Sequence, residues 1–342
     1  MHAFPTRAPA RRHSGSAARP ITQTLTALLL FATACSSESP TPSGPTSELS
    51  PSFGKGGGGN GGGGGGGGGA GQSAGKIVFM NGPADTRRIM TMNPDGSGLT
   101  PVTGQAAFHA PVWSPDYRKI MYTVGDGGNP PIYTMSANGS HVVQIGNGRV
   151  PRWSPDGRKI AFQRYVSTND GSMESDVFVM NSDGSNVIRL TVSEAFDGVP
   201  SWSPDGNRIA FSSNRTGTAE IHVMNADGTG QARVTYCAAL AADCWRPRWS
   251  PAAGDERILY NFVGITSSLR TITATGASGA TVLPGLEVSD AAWSPDATKL
   301  VFSYVAPALV TSNIYTANLD GTGLARLTFD TQHSDSSPAW MR

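Results

Sequence analysis

Pro151-Arg152-Trp153-Ser154-Pro155-Asp156-Gly157-Arg158-Lys159-Ile160-Ala161-Phe162 decides the fold, together with two later runs, Val177-Phe178-Val179-Met180-Asn181-Ser182-Asp183-Gly184 and Ile188-Arg189-Leu190-Thr191. Four short β-rich runs are separated here by turn chemistry. In Ser-Pro-Asp-Gly the proline presets φ, and the aspartate hydrogen-bonds the local backbone. Asp183-Gly184 between two such runs is a hairpin signal, because glycine takes the positive φ that the turn requires.

The unit recurs. Trp-Ser-Pro begins at Trp113, Trp153, Trp202, Trp249 and Trp293, and a shortened copy, Pro338-Ala339-Trp340, ends the chain. Successive tryptophans are 40, 49, 47, 44 and 47 residues apart. After each Ser-Pro comes an apolar run, as in Lys119-Ile120-Met121-Tyr122, Arg208-Ile209-Ala210-Phe211, Arg257-Ile258-Leu259-Tyr260 and Lys299-Leu300-Val301-Phe302. Four strands at a period of this length make a propeller blade. No sustained 3.6-residue apolar pattern supports a helical solenoid. The expected fold is all-β: a six-bladed propeller of four-stranded antiparallel blades over residues 76–342. The first unit, from Lys76-Ile77-Val78-Phe79, has no tryptophan strand before it, and the last tryptophan strand has nothing after it. The two ends are therefore expected to share one closing blade, which leaves no open sheet edge.

The tract Pro-x-Trp-Ser-Pro-Asp-Gly-x-Lys-Ile-Ala-Phe at Pro151–Phe162, its near copy at Pro200–Phe211, and Met180–Thr191 resemble the repeats of TolB-type propellers. The resemblance covers residues 76–342 and implies a propeller that works through protein contacts in the cell envelope. A glycine-rich linker stands where that family carries an N-terminal α/β domain. The unit at Trp249 departs from the pattern, with Ala252-Ala253 in place of Asp-Gly.

Residues 1–34 have the layout of a cleavable export signal: Arg7, Arg11, Arg12 and Arg19, then an apolar stretch from Ile21 to Ala34 too short to span a bilayer. Ala32-Thr33-Ala34-Cys35 resembles a bacterial lipobox, which would make Cys35 the lipidated N-terminus. An ordinary signal peptide with an incidental Cys35 is the other reading. Ser36 after Cys35 favours the outer membrane. Residues 35–75 read as a disordered Ser/Pro/Gly tether, since 15 of the 18 residues from Gly54 to Gly71 are glycine. Its mean span as a flexible coil is about 35 Å. Removing the four leader arginines takes the net charge from +1 to −3, so no basic surface points to nucleic acid.

No nucleophile elbow, zinc-protease helix or phosphate-cradling loop is present, and no cofactor is implied. Asn169-Asp170-Gly171-Ser172-Met173-Glu174-Ser175-Asp176 is the best metal candidate, although a solvated hairpin tip explains it as well. Cys237 and Cys244 read as a loop-closing disulfide in an oxidising compartment. The residues ahead of each tryptophan strand should rim the axial channel: His109, Arg149, Asp197, Trp245, Asp290 and Asp335. They could bind a polar ligand, a cation or a partner's loop, or simply line a wet channel. The expected function is a non-enzymatic interaction or ligand-binding module on the periplasmic side, membrane-held through its lipid, with an envelope protein or a peptidoglycan-associated partner. The alternative is a carbohydrate-binding or polyuronide-lyase-type propeller.

Overall fold

Each Trp-Ser-Pro unit folds as its turn chemistry dictates. In the computed structural model, Ser154 Oγ accepts from Lys159 N at 2.9 Å and donates to Asp156 Oδ1 at 2.6 Å, while Asp156 Oδ1 accepts from Arg158 N at 3.1 Å. Ser114/Asp116, Ser203/Asp205 and Ser294/Asp296 repeat this clamp. The structure describes residues 75–83, 86–102, 109–125, 127–167, 171–288, 290–307 and 309–340, with the side chains of His109 and Ala110 excepted. The leader 1–34, Cys35, the linker as far as residue 74, and Asn169-Asp170 lie outside the described residues.

Six four-stranded antiparallel sheets result. Blade 1 runs outward from Asp335–Trp340 through Ile77–Asn81 and Arg88–Met92 to Thr100–Val102. The innermost strands of blades 2 to 6 are His109–Trp113, Arg149–Trp153, Asp197–Trp202, Asp243–Trp249 and Asp290–Trp293. Blade 1 is thus built from both chain ends, with Ile77 opposite Trp340 and Asn81 opposite Asp335. Asn81 Nδ2 donates to Asp335 Oδ1 at 2.7 Å and to Asp330 Oδ2 at 2.9 Å, and Trp340 Nε1 donates to the Gly75 carbonyl at 3.0 Å.

Apolar faces are buried blade against blade. Ala161, Val177 and Val179 of blade 3 form one cluster with Trp202, Ile209, Phe211 and Met224 of blade 4. Ile77, Phe79 and Met92 of blade 1 join Val301, Ile314 and Leu327 of blade 6, so the packing continues across the seam. Arg208 stacks over the next blade's Trp249 at 4.9 Å, and Arg257 over Trp293 at 5.2 Å. Such stacking adds a cation–π contribution to the blade contact. Trp202 Nε1 and Trp293 Nε1 each donate to a carbonyl of the preceding blade, at Arg152 and Arg248.

The divergent blade 5 keeps its clamp by another route. Asp255, three residues past Ala252, accepts from Ser250 Oγ at 2.6 Å and from Arg257 N at 2.9 Å. A longer turn therefore returns a carboxylate to the place that the missing Asp-Gly vacates.

Candidate functional site

Inner strands of neighbouring blades touch around most of the ring, from blade 1 through blade 5 and from blade 6 back to blade 1. They wall the axis. Several of them contain a break in register, for example between Arg149 and Arg152 in blade 3 and between Trp245 and Arg248 in blade 5. A left-handed residue sits in the breaks of blades 1, 3, 4 and 5: Ser337 (φ 53°), Val150 (φ 48°), Val199 (φ 53°) and Arg246 (φ 56°). A β-branched side chain at such φ is strained. The extra residue re-aims the side chains beyond it.

The expected rim residues differ in burial. Asp197 is fully buried, and its Oδ2 accepts from Arg215 Nη2 at 2.7 Å. Asp335 is 1% exposed and is held by Asn81. Desolvation raises the Asp335 carboxyl above its ordinary range, against the hydrogen bonds that lower it. The expected ring of three carboxylates is therefore corrected to one partly exposed carboxylate, Asp290, because the other two turn into the blades. Trp245 lies two residues inside its strand, which begins at Asp243, and packs edge-to-face on Phe196 at 5.3 Å. Arg149 lies over the Tyr165 ring at 6.0 Å. The His109 side chain is outside the described residues.

Two inner strands carry arginine near their ends, and Arg246 and Arg248 line a crevice with Asn261 of blade 5 and Asp290 of blade 6. Arg152 and Arg248, each one residue before its tryptophan, are partly exposed, and Arg246 is exposed. Arg152 Nη1 donates to the Pro151 carbonyl at 2.9 Å, and Arg248 Nη1 to that of Pro247 at 3.2 Å. Desolvation, and then repulsion from Arg248, hold the Arg152 guanidinium well below its ordinary pKa; Asp290 acts in the opposite sense. Arg248 is lowered by desolvation and by Arg246, with Asp290 again opposing. A signal for this was in the sequence: Pro-Arg-Trp occurs twice, where the other units have Val112, Ser201, Ala292 and Ala339 at the middle position.

The metal candidate is a hairpin. Lys159–Ser167 pairs with Met173–Asn181, and Arg189 Nη2 binds both Asp176 (2.5 Å) and Glu174 (3.4 Å). An arginine thus occupies the place where a cation would need to sit. Asp176 is fully buried and not solvated, and desolvation raises its pKa.

Cys237 and Cys244 are bonded, with Cα atoms 6.0 Å apart, across a 3-10 turn at Cys237–Leu240. Buried Glu220 faces this loop and accepts from Cys237 N, Ala238 N and Thr235 Oγ1. Among the described residues, Glu220 with these two cysteines is the group whose ligand atoms come together, but both sulfurs are spent on each other.

Residues 144–263 match the family described as TolB beta propeller domain. Over these residues the recurring unit is similar to the TolB-type propeller repeat. A Tol-Pal system protein TolB from Anaeromyxobacter dehalogenans is 30% identical over 116 residues, which is 33% of this chain and 26% of that protein. The chain thus spans about a quarter of the length of this curated relative. The solved TolB from Acinetobacter baumannii superposes with a TM-score of 0.65 at 20% identity, over 79% of this chain and 67% of that one. Oligogalacturonate lyase from Vibrio parahaemolyticus gives 0.52 at 12% identity, over 73% and 74%. Likeness to TolB and to the lyase at these identities is a likeness of fold.

Proposed function

We propose that this chain is a non-enzymatic partner-binding propeller held in the bacterial cell envelope, and that it meets its partner with the face on which its inner strands begin. The observation that carries this is the difference between the two faces. In an antiparallel blade, the links from second to third strand, and from one blade to the next, return to the face where the inner strand starts. On those links Val192, Tyr236, Leu240, Ile265, Val310 and Phe329 are all strongly exposed, Ile265 and Val310 almost completely. The opposite face carries the Ser-Asp clamps and the Asn-x-Asp-Gly hairpins, in which Asn93, Asn181, Asn225 and Asn318 each donate to a Ser or Thr hydroxyl; its apolar side chains, such as Leu99, Val142, Val187 and Leu324, are only about half-exposed. Strongly exposed apolar side chains that share one face mark an interaction surface.

The envelope location rests on the leader, on Cys35 in its lipobox-like setting, on the disulfide, and on relatives named for a Tol-Pal system. An envelope protein or a peptidoglycan-associated partner fits that location, with the lipid on Cys35 holding the chain to the outer membrane. A lyase would use axial histidine and metal-bound carboxylates. Asp197 and Asp335 are instead buried and bonded within the blades, which favours the non-enzymatic reading.

Photo-crosslinking residues placed in living cells at Ile265 and Val310, and for comparison at Leu99 and Tyr117 on the opposite face, test the proposal. The same discrete adduct is expected from the first pair alone. Adducts from the second pair, or from neither, overturn it. Cys35→Ser is expected to move the protein from the membrane to the soluble fraction, and an unchanged distribution removes the anchor.

A further inference from the structure

On the face where the inner strands begin, blades 6 and 1 enclose a cavity of about 610 Å³. That lies within the range of about 300–1,000 Å³ that ligand pockets occupy. Separate stretches of chain place its walls. Glu287 comes from the link into blade 6, and Ser336 from the inner strand of blade 1. Ser303 and Tyr304 end the second strand of blade 6, Lys299–Tyr304, and Val305, Pro307 and Ser312 belong to the turn that leads into Asn313–Asn318. The two blades are tied at this wall. Ser312 Oγ donates to the Asp335 carbonyl at 2.7 Å, and Asp335 N donates to the Ser312 carbonyl at 2.8 Å.

The chemistry of the walls is one-sided. Glu287 brings an exposed carboxylate, and among the described residues no lysine, arginine or histidine lines the cavity. Ser336 Oγ is buried and has no hydrogen-bond partner among the described residues. Ser312 Oγ has given its proton to the Asp335 carbonyl and keeps its lone pairs for an incoming N–H. Tyr304 is half-buried, with its ring edge-to-face on Tyr315 at 5.6 Å. A carboxylate, hydroxyl lone pairs and the negative face of an aromatic ring all favour a cation that carries several N–H donors. The rim is aliphatic. Val305 and Pro307 are exposed, and Val310 in the same turn is almost completely so.

We infer that this cavity receives a lysine or arginine side chain of the partner protein, flanked in the partner by apolar residues. Glu287 supplies the counter-charge, Tyr304 its ring, and Ser312 and Ser336 the acceptors for the N–H groups. The apolar neighbours of that basic residue rest on Val305, Pro307 and Val310. An anion would meet Glu287 with no cation in the lining to offset it. A glycan would stack on an open aromatic face, whereas Tyr304, the ring of this lining, is half-buried against Tyr315. The inference deepens the partner-binding proposal and rests on it.

The test uses the full-length protein and a short fluorescein-labelled peptide with one lysine between leucines, followed by anisotropy. Matching peptides carry norleucine, which has no ammonium group, or glutamate in place of the lysine. The lysine peptide is expected to bind with an affinity that falls as salt rises. It should bind about tenfold more tightly than the norleucine peptide, and the glutamate peptide should be weaker still. Glu287→Gln should cut the affinity for the lysine peptide about three- to tenfold, and Tyr304→Leu about threefold. Glu287→Lys should reverse the preference and take the glutamate peptide over the lysine one. That arm reads selectivity at an exposed position on a link, so it stays decisive should Tyr304→Leu disturb its blade. No binding of the lysine peptide, equal binding of the lysine and norleucine peptides, or an unreversed preference in Glu287→Lys overturns the inference. Displacement of the peptide by an N-acetylglucosamine tetramer reassigns the cavity to a glycan and overturns the basic ligand. Crosslinks at Ile265 and Val310 that persist in Glu287→Lys would leave the partner-binding proposal standing while this inference falls, whereas no crosslink at either position in the intact chain would remove the proposal beneath it.

Discussion

Thr191, Thr235 and Thr328 explain why a threonine closes so many units. Each hydroxyl accepts from the backbone N–H of Val177, Ile221 or Ile314 at 2.8–3.0 Å and donates to the buried polar residue just before it: Asp176, Glu220 or Asn313. Glu220 accepts from three donors. Glu220→Ala should therefore destabilise the fold by about 3 kcal/mol or more, since each orphaned buried donor costs on the order of 1–3 kcal/mol. Glu220→Gln should cost less, and a urea midpoint series separates the two. The clamp aspartates set the acid response. Serine hydroxyls hold the carboxyls of Asp116, Asp156, Asp205 and Asp296 below their ordinary range, and the Asn81 amide and two backbone N–H groups hold Asp330 at about 2 despite desolvation. A folded-state pKa below the unfolded value gives stability that is present above the unfolded value and lost as pH falls through the folded one. The melting temperature should therefore fall between the ordinary value of 3.8 and about 2. Asp335 has the opposite sign, because its raised pKa makes the charge a cost at neutral pH. Asp335→Asn, which keeps an acceptor for Asn81, should raise the melting temperature at pH 7 and change little under acid. Serine and aspartate two apart were readable from the sequence, because the clamp is local. Burial of Asp197 and Asp335 was not, because it depends on Arg215 and Asn81, which lie 18 and 254 residues away along the chain.

At the level of single elements, local signals held wherever the turn contains its own partners. The Trp-Ser-Pro-Asp-Gly turns and Asp-Gly hairpins fall where their residues put them. Blade 5 shows the limit: losing Asp-Gly suggests a missing clamp, yet Asp255 supplies one from a longer turn. Inner-strand bulges were likewise hidden, since nothing in Arg149-Val150-Pro151 alone announces a left-handed valine. The connection into blade 5 gives a separate measurement. Its disulfide encloses a short loop, for which the chain-entropy estimate is about 2–3 kcal/mol. Cys237→Ala with Cys244→Ala should lower the melting temperature by several degrees, as should a reductant acting on the native protein. If both leave it unchanged, Glu220 alone is fixing the loop, through the N–H groups of Cys237 and Ala238 that donate to its carboxylate.

For the whole molecule the number of blades was legible because each unit repeats its turns, and closure was legible because the first unit lacks a tryptophan strand and the last tryptophan strand stands alone. The chemistry of the axis was not. It depends on which side chains six distant strands bring to a common line, and a single stretch of sequence shows only its own contribution. Closure itself makes the strongest prediction. Removing the chain from Asp335 onward strips the inner strand from blade 1, exposes the edge of Ile77–Asn81, and takes Asp335 from Asn81 and Trp340 from the Gly75 carbonyl. That truncation should melt far below the intact protein and self-associate through the open edge. Loss of a tail and loss of a sheet give different results in a permuted chain. Trp340 lies opposite Ile77 in an antiparallel pair, so an Asn-Gly link from Trp340 to Ile77 makes a two-residue hairpin. A chain opened between Asp330 and Asp335 and joined in this way keeps all six sheets while moving the terminal strand to the front. It should melt near the intact protein, as chain termini lying at the surface allow. A permuted chain as unstable as the truncation would show that the connection into the closing strand, rather than its pairing with Ile77–Asn81, holds the ring.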